Sequence, residues 1–329
     1  MVSQYLKSLR GLLRVPTYLL LSLNFLLGLL VAGGGVTTRW WLVAAGLVAV
    51  GGWYVHATSL NDLSDYAIDQ INLKSDPDRP LVTGGMSRRV LVLTAGLATA
   101  VTLAAAYALG PRAVILAGLL LVLNIVYSLP PLRVAGRGAL ALVLLPVGYV
   151  AYTMTLGAVA AGGPLTAGFG QLVAVCYAQF VARVSLKDYR DVLGDAKFGK
   201  RTFLLRHGSN AVIALALSGH TLAGIGGLAW LYPRSPLLAA AYGFLAAAAG
   251  MLLWRLRAAK SWPRQRVWIS AYGRLVTGQI VVLILAGLQI AGYLRPGIGQ
   301  AAVAVLVLSA FAWSSQRVVE QLSTASAGA

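Results

Sequence analysis

Acidic side chains are so scarce in this sequence that each can be placed by number. Asp62, Asp65 and Asp69 stand in one short window, with Asp76 and Asp78 just behind them, and Asp188, Asp191 and Asp195 stand in a second. Glu320 is the only other acid. Both triads share the rhythm Asp-x-x-Asp-x-x-x-Asp, at an offset of 126 positions from 62 to 188. On a helix, positions i, i+3 and i+7 fall within about a 60° arc over roughly 10 Å, so each triad is expected to line one helix face. Six carboxylates meeting around one cavity would repel one another, and some would protonate unless a cation stood between them. Magnesium suits that place, because it is a hard ion that takes one or two carboxylates together with substrate phosphates. Lys74 and Arg79 behind the first window, and Lys187, Arg190, Lys197, Lys200 and Arg201 around the second, support a phosphate there, although the preference of cytoplasmic loops for basic residues explains each of them alone.

The elements that must carry these groups are apolar. With 58% hydrophobic residues, 11% charged residues and a mean hydropathy of +0.76, the chain reads as an all-α integral membrane protein. A helix needs roughly 20 apolar residues to cross the hydrocarbon core, and open strands cannot cross it. Spans are expected near 16–33, 39–60, 89–109, 111–128, 138–161, 165–187, 209–231, 235–256 and 268–293, giving nine, with a shorter tenth near 297–314. The basic residues before the first apolar run resemble a signal peptide, but a continuous series of spans follows, so the run is read as the first helix. Shifting the first four spans by 126 positions brings them nearly onto spans five to eight. The expectation is a single domain over 1–329, made of four-helix halves at about 16–134 and 138–256 and added C-terminal helices at about 268–314. Proteins built from repeats tend to place their site where the halves meet.

Most of the 27 lysines and arginines fall in the N-terminal segment and in the loops near 61–88, 129–137, 187–208 and 255–274, whereas the opposite loops hold only Arg39, Arg112, Arg234 and Arg295. This bias puts both acidic windows and the N-terminus in the cytoplasm. It also accounts for the net charge of +18 without nucleic acid, leaving anionic lipid headgroups as the natural neighbours of the basic loops. The single Cys176 lies inside a span and excludes an internal disulfide or a cysteine-rich zinc site. Loop aspartates that merely cap helices would not recur at identical spacing in two places. A transporter would hold its coupling ions near the bilayer midplane, and these aspartates sit at span ends, so transport is a remote alternative.

The sequence resembles the UbiA superfamily of intramembrane prenyltransferases over nearly its whole length. The resemblance is carried by Asn61-Asp62-Leu63-Ser64-Asp65 through Asp69 and by Asp188-Tyr189-Arg190-Asp191 through Asp195. Asp78-Arg79-Pro80-Leu81 before Thr83-Gly84-Gly85, Tyr127-Ser128-Leu129-Pro130-Pro131-Leu132-Arg133 and Gly199-Lys200-Arg201-Thr202 add to it. It implies that magnesium bridges the aspartates to the diphosphate of an isoprenyl donor, that the allylic C–O bond ionises, and that an acceptor captures the cation. Carried over by position, the six aspartates would be catalytic and metal-binding. Asn61 would hold a phosphate or a metal-bound water, and Arg79, Lys187 and Lys200 would contact the diphosphate. Tyr127 and Ser128 would steer the prenyl chain. Asn124, one turn from Ser128, is a candidate cavity residue that could equally serve as an interhelical hydrogen-bonding group, and Arg183 a candidate phosphate contact that could equally snorkel to the cytoplasm; His56 has a similar standing. An aromatic, quinone-type acceptor is expected ahead of a lipid alcohol, since few polar groups line the spans. The same aspartates could also serve a UbiA-type terpene cyclase or phosphoribosyl transfer to a polyprenyl phosphate. The tenth span and the long loop INLKSDPDRPL depart from the family pattern.

Overall fold

The computed structural model describes residues 2–33, 39–295 and 297, and beyond these only 301, 304, 305, 308–311, 313 and 316. Every described regular element is helical. Among the described residues, eight helices are long and apolar enough to cross a membrane, and a pair bent by 55°, Ser3–Leu13 with Val15–Val31, makes nine if it counts as one span. Half of the positions of the expected tenth span near 297–314 lie outside the described residues.

Two compact units divide the chain. The first comprises residues 1–29, 37–163 and 191–202, and the second 30–36, 164–190 and 203–329. The first holds α1 (Val2–Leu13), most of α2 (Val15–Val31), α3 (Trp40–Ser64), α4 (Tyr66–Asn72), α5 (Arg88–Leu109) and α6 (Pro111–Ser128). Its last span is assembled from α7 (Ala139–Pro146), a π-helical stretch Val147–Tyr152 and α8 (Thr153–Ala161). Pro146 lacks the amide that would continue the α-helical ladder, and the widened turn follows directly upon it. The Asn24 side-chain amide in α2 donates to the Tyr149 carbonyl of that widened turn at 3.1 Å. Elsewhere α2 and α8 approach until backbones touch: a Cβ on Gly28 would strike the Met154 carbonyl, and one on Gly157 the Phe25 carbonyl. Small residues at such crossings let dispersion act between helices where lipid supplies no hydrophobic drive.

The second unit holds α9 (Ala167–Ser185), the start of α10 (Asp188–Lys197), α11 (Phe203–Leu231), α12 (Pro236–Leu256) and α13 (Trp262–Ile290). α9 and α12 begin as their sequences dictate, with the Thr166 and Ser235 hydroxyls accepting from the Phe169 and Leu238 amides. Gln179 of α9 and Gln279 of α13, both buried, share an amide hydrogen bond of 2.6 Å. Cys176 is buried in this unit as a free thiol.

Helix ends refine one expectation about the first triad. α3 runs on to Ser64, so Asp62 belongs to it; Asp65 interrupts the helix at φ −98° and ψ 9°, and Asp69 lies in the short α4. The first triad therefore spans a junction and not one continuous helix face. The Asp65 amide still donates to Asn61 O and the Asp69 amide to Asp65 O, each at 2.8 Å, which keeps all three side chains within two turns. The second triad does ride one helix, α10.

Candidate active site

Five of the six aspartates belong to the first unit, where Asp62, Asp65, Asp69 and Asp195 are 1%, 7%, 5% and 3% exposed. Carboxylates removed from water this far need cations, and among the described residues Arg14, Arg79, Arg133 and Lys200 supply them. Asp62 Oδ1 accepts from Arg14 Nη2 at 2.8 Å and, more closely still, from Arg79 Nη1. Arg79 also turns its Nε toward Asp69 Oδ2 at 3.3 Å, so one guanidinium ties α3 to α4. Asp65 accepts from Arg133 Nη2 at 2.6 Å on one oxygen and from Lys200 Nζ at 2.9 Å on the other. Lys200 stands 3.3 Å from Asp195 Oδ1 and so links the first acidic window to the second. Asn72 strengthens that link, donating to the Asp191 carbonyl at 2.9 Å and accepting from the Gly194 amide at 2.7 Å.

The electrostatics differ from one carboxyl to the next. Burial pushes Asp69 up to about 7, Arg79 only partly opposes it, and Asp62, Asp65 and Asp191 push it further. Burial also raises Asp195, against the pull of Lys200. For Asp65 burial acts in the same direction but is outweighed by Lys200 and Arg133, which hold it below the usual carboxylate range. Burial would weaken Arg79 as a cation, yet Asp62 and Asp69 hold it above its ordinary value. Asp69 thus carries a proton much of the time at neutrality, while Asp65 stays ionised.

Among the described residues no three carboxylates converge closely enough to bind an ion as they stand, because Arg79 and Lys200 lie between them. The oxygens themselves nonetheless suit a hard cation. Asp62 Oδ2, Asp69 Oδ2 and Asp195 Oδ1 are buried and make no hydrogen bond. Such atoms are costly unless something further completes them. An oxygen-only donor set of this kind fits magnesium.

The remaining predicted residues are distributed as follows. Asn61 donates to Asp65 Oδ2 at 3.0 Å and accepts from Arg79 Nη1 at 3.3 Å, so it braces the cluster from within. Ser128 is buried at the end of α6, where its carbonyl accepts from the Ser64 hydroxyl at 2.6 Å, and Tyr127 beside it is half-buried. Asn124 pairs with the Nδ1 side of His56 at 3.1 Å, so these two intramembrane polar groups pair with each other between α6 and α3. In the second unit Asp188 opens α10 and is 6% exposed, and Lys187 precedes it, half-buried. Arg183 lies within α9 and reaches Thr277 Oγ1 of α13 at 3.4 Å. Arg14 and Arg133 had not been singled out from the sequence. Arg14 was hidden among residues that topology explains; Arg133 closes the Tyr127–Arg133 motif, which was the available signal.

Taken together, apolar helices of membrane-spanning length, with acidic windows at span ends interleaved with buried bases, define a multi-pass membrane protein. The chain belongs to the UbiA prenyltransferase family, whose model matches residues 21–272. The digeranylgeranylglyceryl phosphate synthase of Pyrococcus furiosus is 34% identical over 204 residues, 59% of this chain and 67% of that protein. The same-named protein of Thermococcus gammatolerans is 35% identical over 179 residues, 54% of this chain and 60% of its own length. Among solved structures, a UbiA homologue from Archaeoglobus fulgidus bound to DMAPP and Mg2+ shares the fold with a TM-score of 0.65 at 17% identity, covering 87% of this chain and 100% of that one.

Proposed function

We propose that this chain transfers a prenyl group from an isoprenyl diphosphate to the hydroxyl of a glycerophosphate-type lipid acceptor, in the cytoplasmic half of the membrane and with Mg2+. The observation that carries this reading is the interleaving of buried aspartates with Arg14, Arg79, Arg133 and Lys200. Asp62, Asp65, Asp69, Asp188, Asp191 and Asp195 would hold the metal, which supplies charge neutralisation for the departing diphosphate. Arg79 and Lys200, already poised among the carboxylates, would turn to phosphate oxygens and stabilise the leaving group. Asn61 fixes Arg79 and Asp65 in register. The apolar bundle excludes water from the allylic centre until the acceptor oxygen captures it.

The acceptor is read from two supports. The matched relatives are named for digeranylgeranylglyceryl phosphate, and a site with four basic side chains can pair an acceptor phosphate as well as a diphosphate. A second reading, the aromatic quinone-type precursor, draws on the packed rings of Trp53, Tyr54, Tyr149 and Tyr152, where Trp53 Nε1 and the Tyr152 hydroxyl are buried without partners. Purified protein in vesicles, given geranylgeranyl diphosphate, Mg2+ and either a glycerophosphate lipid or a phenolic acid, should form product with the lipid acceptor and none after EDTA. Product from the phenolic acid alone selects the second reading. A cyclic hydrocarbon formed without acceptor, or consumption of phosphoribosyl diphosphate, would point to the cyclase or the sugar transferase.

The cytoplasmic placement has its own check. Lys74 and Lys197 are exposed beside the two windows, so cysteines at these positions should react with an impermeant thiol reagent only once the cytoplasmic side is opened. Labelling of either from outside intact cells would reverse the topology.

A further inference from the structure

α1 is short, strongly two-sided and set at an angle of 55° to the span that follows it. Its inner face is tied down at every turn. Tyr5 meets Thr94 Oγ1 of α5 at 3.4 Å, and the Ser8 hydroxyl donates to the Gly85 carbonyl at 3.1 Å. Gly11 lies so near the 77–78 backbone that a Cβ there would stand 2.6 Å from the Pro77 oxygen. Leu12 is fully buried with Val55, Leu81, Met86 and Leu91. One residue past the helix, Arg14 reaches Asp62. The helix therefore runs from the first turns of α5, along the loop that carries Arg79, to the acidic cluster.

Its outer face has no such cover. Ser3, Leu6, Lys7 and Arg10, spaced i, i+3, i+4 and i+7, are exposed, and Leu6 keeps 57% of its surface. Arg88, which lies over the Tyr66 ring, and Arg89, both exposed where α5 begins, extend the basic surface; Asp76 and Asp78, in the loop against Gly11, are the acids nearest to α1 in that loop, and the first unit has no acid before Asp62. Depth matters as well. Through Tyr5, α1 meets α5 at Thr94, six residues and roughly 9 Å from its first residue, so α1 lies beside the first two turns of that span. A leucine flanked by cations at that level fits the boundary between acyl chains and headgroups.

We propose that the outer face of α1, with Arg88 and Arg89, is a docking surface for an anionic phospholipid bilayer, and that its engagement holds Arg14 and the Arg79 loop in place over the aspartates. Each basic residue near an anionic leaflet is worth about fivefold in affinity. The full chain carrying Leu6→Cys, labelled with an environment-sensitive fluorophore while Cys176 stays buried, would be reconstituted in phosphatidylcholine vesicles with and without phosphatidylglycerol. The emission should shift to the blue with phosphatidylglycerol, and the variant Lys7→Gln, Arg10→Gln, Arg88→Gln, Arg89→Gln should lose that response. Turnover in the same vesicles should rise with anionic lipid in the parent and stay flat in the variant. Identical emission in both lipids, a response that survives the four substitutions, or a shift produced by soluble glycerophosphate would each overturn the surface. Turnover indifferent to lipid charge would overturn its coupling to the site. The fluorescence reading does not depend on which acceptor the protein uses.

Discussion

Replacing Asp62 with Asn is expected to lower turnover by on the order of 10²-fold or more while leaving a folded protein. Asp62 is the most buried of the six, at 1% exposure, and its two oxygens have different duties. Oδ1 holds two guanidinium groups, Arg14 and Arg79, and Oδ2 is buried with no hydrogen bond, the oxygen best placed for a metal. Asn keeps the shape and one acceptor oxygen but removes the charge, so Mg2+ would be bound more weakly and the departing diphosphate would be less neutralised. Arg79 retains Asp69 as a partner, which limits the structural cost to the range of one lost charged hydrogen bond, about 1.5–3 kcal/mol. Steady-state rates normalised to the folded fraction, measured across Mg2+ concentrations, make the distinction. Near-normal turnover of the Asn variant at the Mg2+ level that suffices for the parent would remove Asp62 from the metal site. A loss wholly recovered at high Mg2+ would show that its charge acts through metal affinity.

How much of this was legible beforehand depends on how strongly each feature stands out from its background. The two aspartate windows were visible because acids are nearly absent elsewhere, and the spans because uninterrupted apolar runs of that length have few other fates in a chain this hydrophobic. The pairing of Lys200 with Asp65 followed from neither alone, since it joins residues 135 positions apart and requires the fold. Arg14 was obscured for the opposite reason: the positive-inside bias predicts a base at the cytoplasmic end of a first span, so its contact with Asp62 had no excess signal to betray it. The break at Asp65 was equally hidden, because a rhythm of i, i+3 and i+7 survives a local distortion that keeps the i to i−4 hydrogen bonds. For Asn124 the spacing from Ser128 left two readings open, a cavity residue or an interhelical hydrogen-bonding group. Sharing a helix face does not show which neighbour the face meets, and here it meets His56.

Arg79→Met should be the most damaging single change to stability, and more so at alkaline than at acid pH. Arg79 is 5% exposed and joins Asp62, Asp69 and Asn61, so Met replaces its volume but leaves two buried carboxylates with less compensation. Breaking a buried pair in this way costs about 3–5 kcal/mol when the orphaned partner stays charged. The sign of the pH effect follows from Asp69, whose folded-state value of about 7 lies above the ordinary carboxylate range even with Arg79 present. A carboxyl raised by folding favours the folded state while protonated, and that advantage disappears as pH climbs from the unfolded value through the folded one. Without Arg79 the folded value rises further, so the window widens upward. Thermal unfolding in EDTA should therefore show a small deficit for the Met variant near about pH 5 and a larger one near about pH 8, still growing as pH rises. Arg79→Lys should recover most of the stability, because a cation returns, but not the activity, since an ammonium cannot span Asp62 and Asp69 or grip a diphosphate as a fork does. A deficit that is equal at both pH values, or larger at the acid end, would mean that Arg79 supports the fold by packing and not by compensating Asp62 and Asp69.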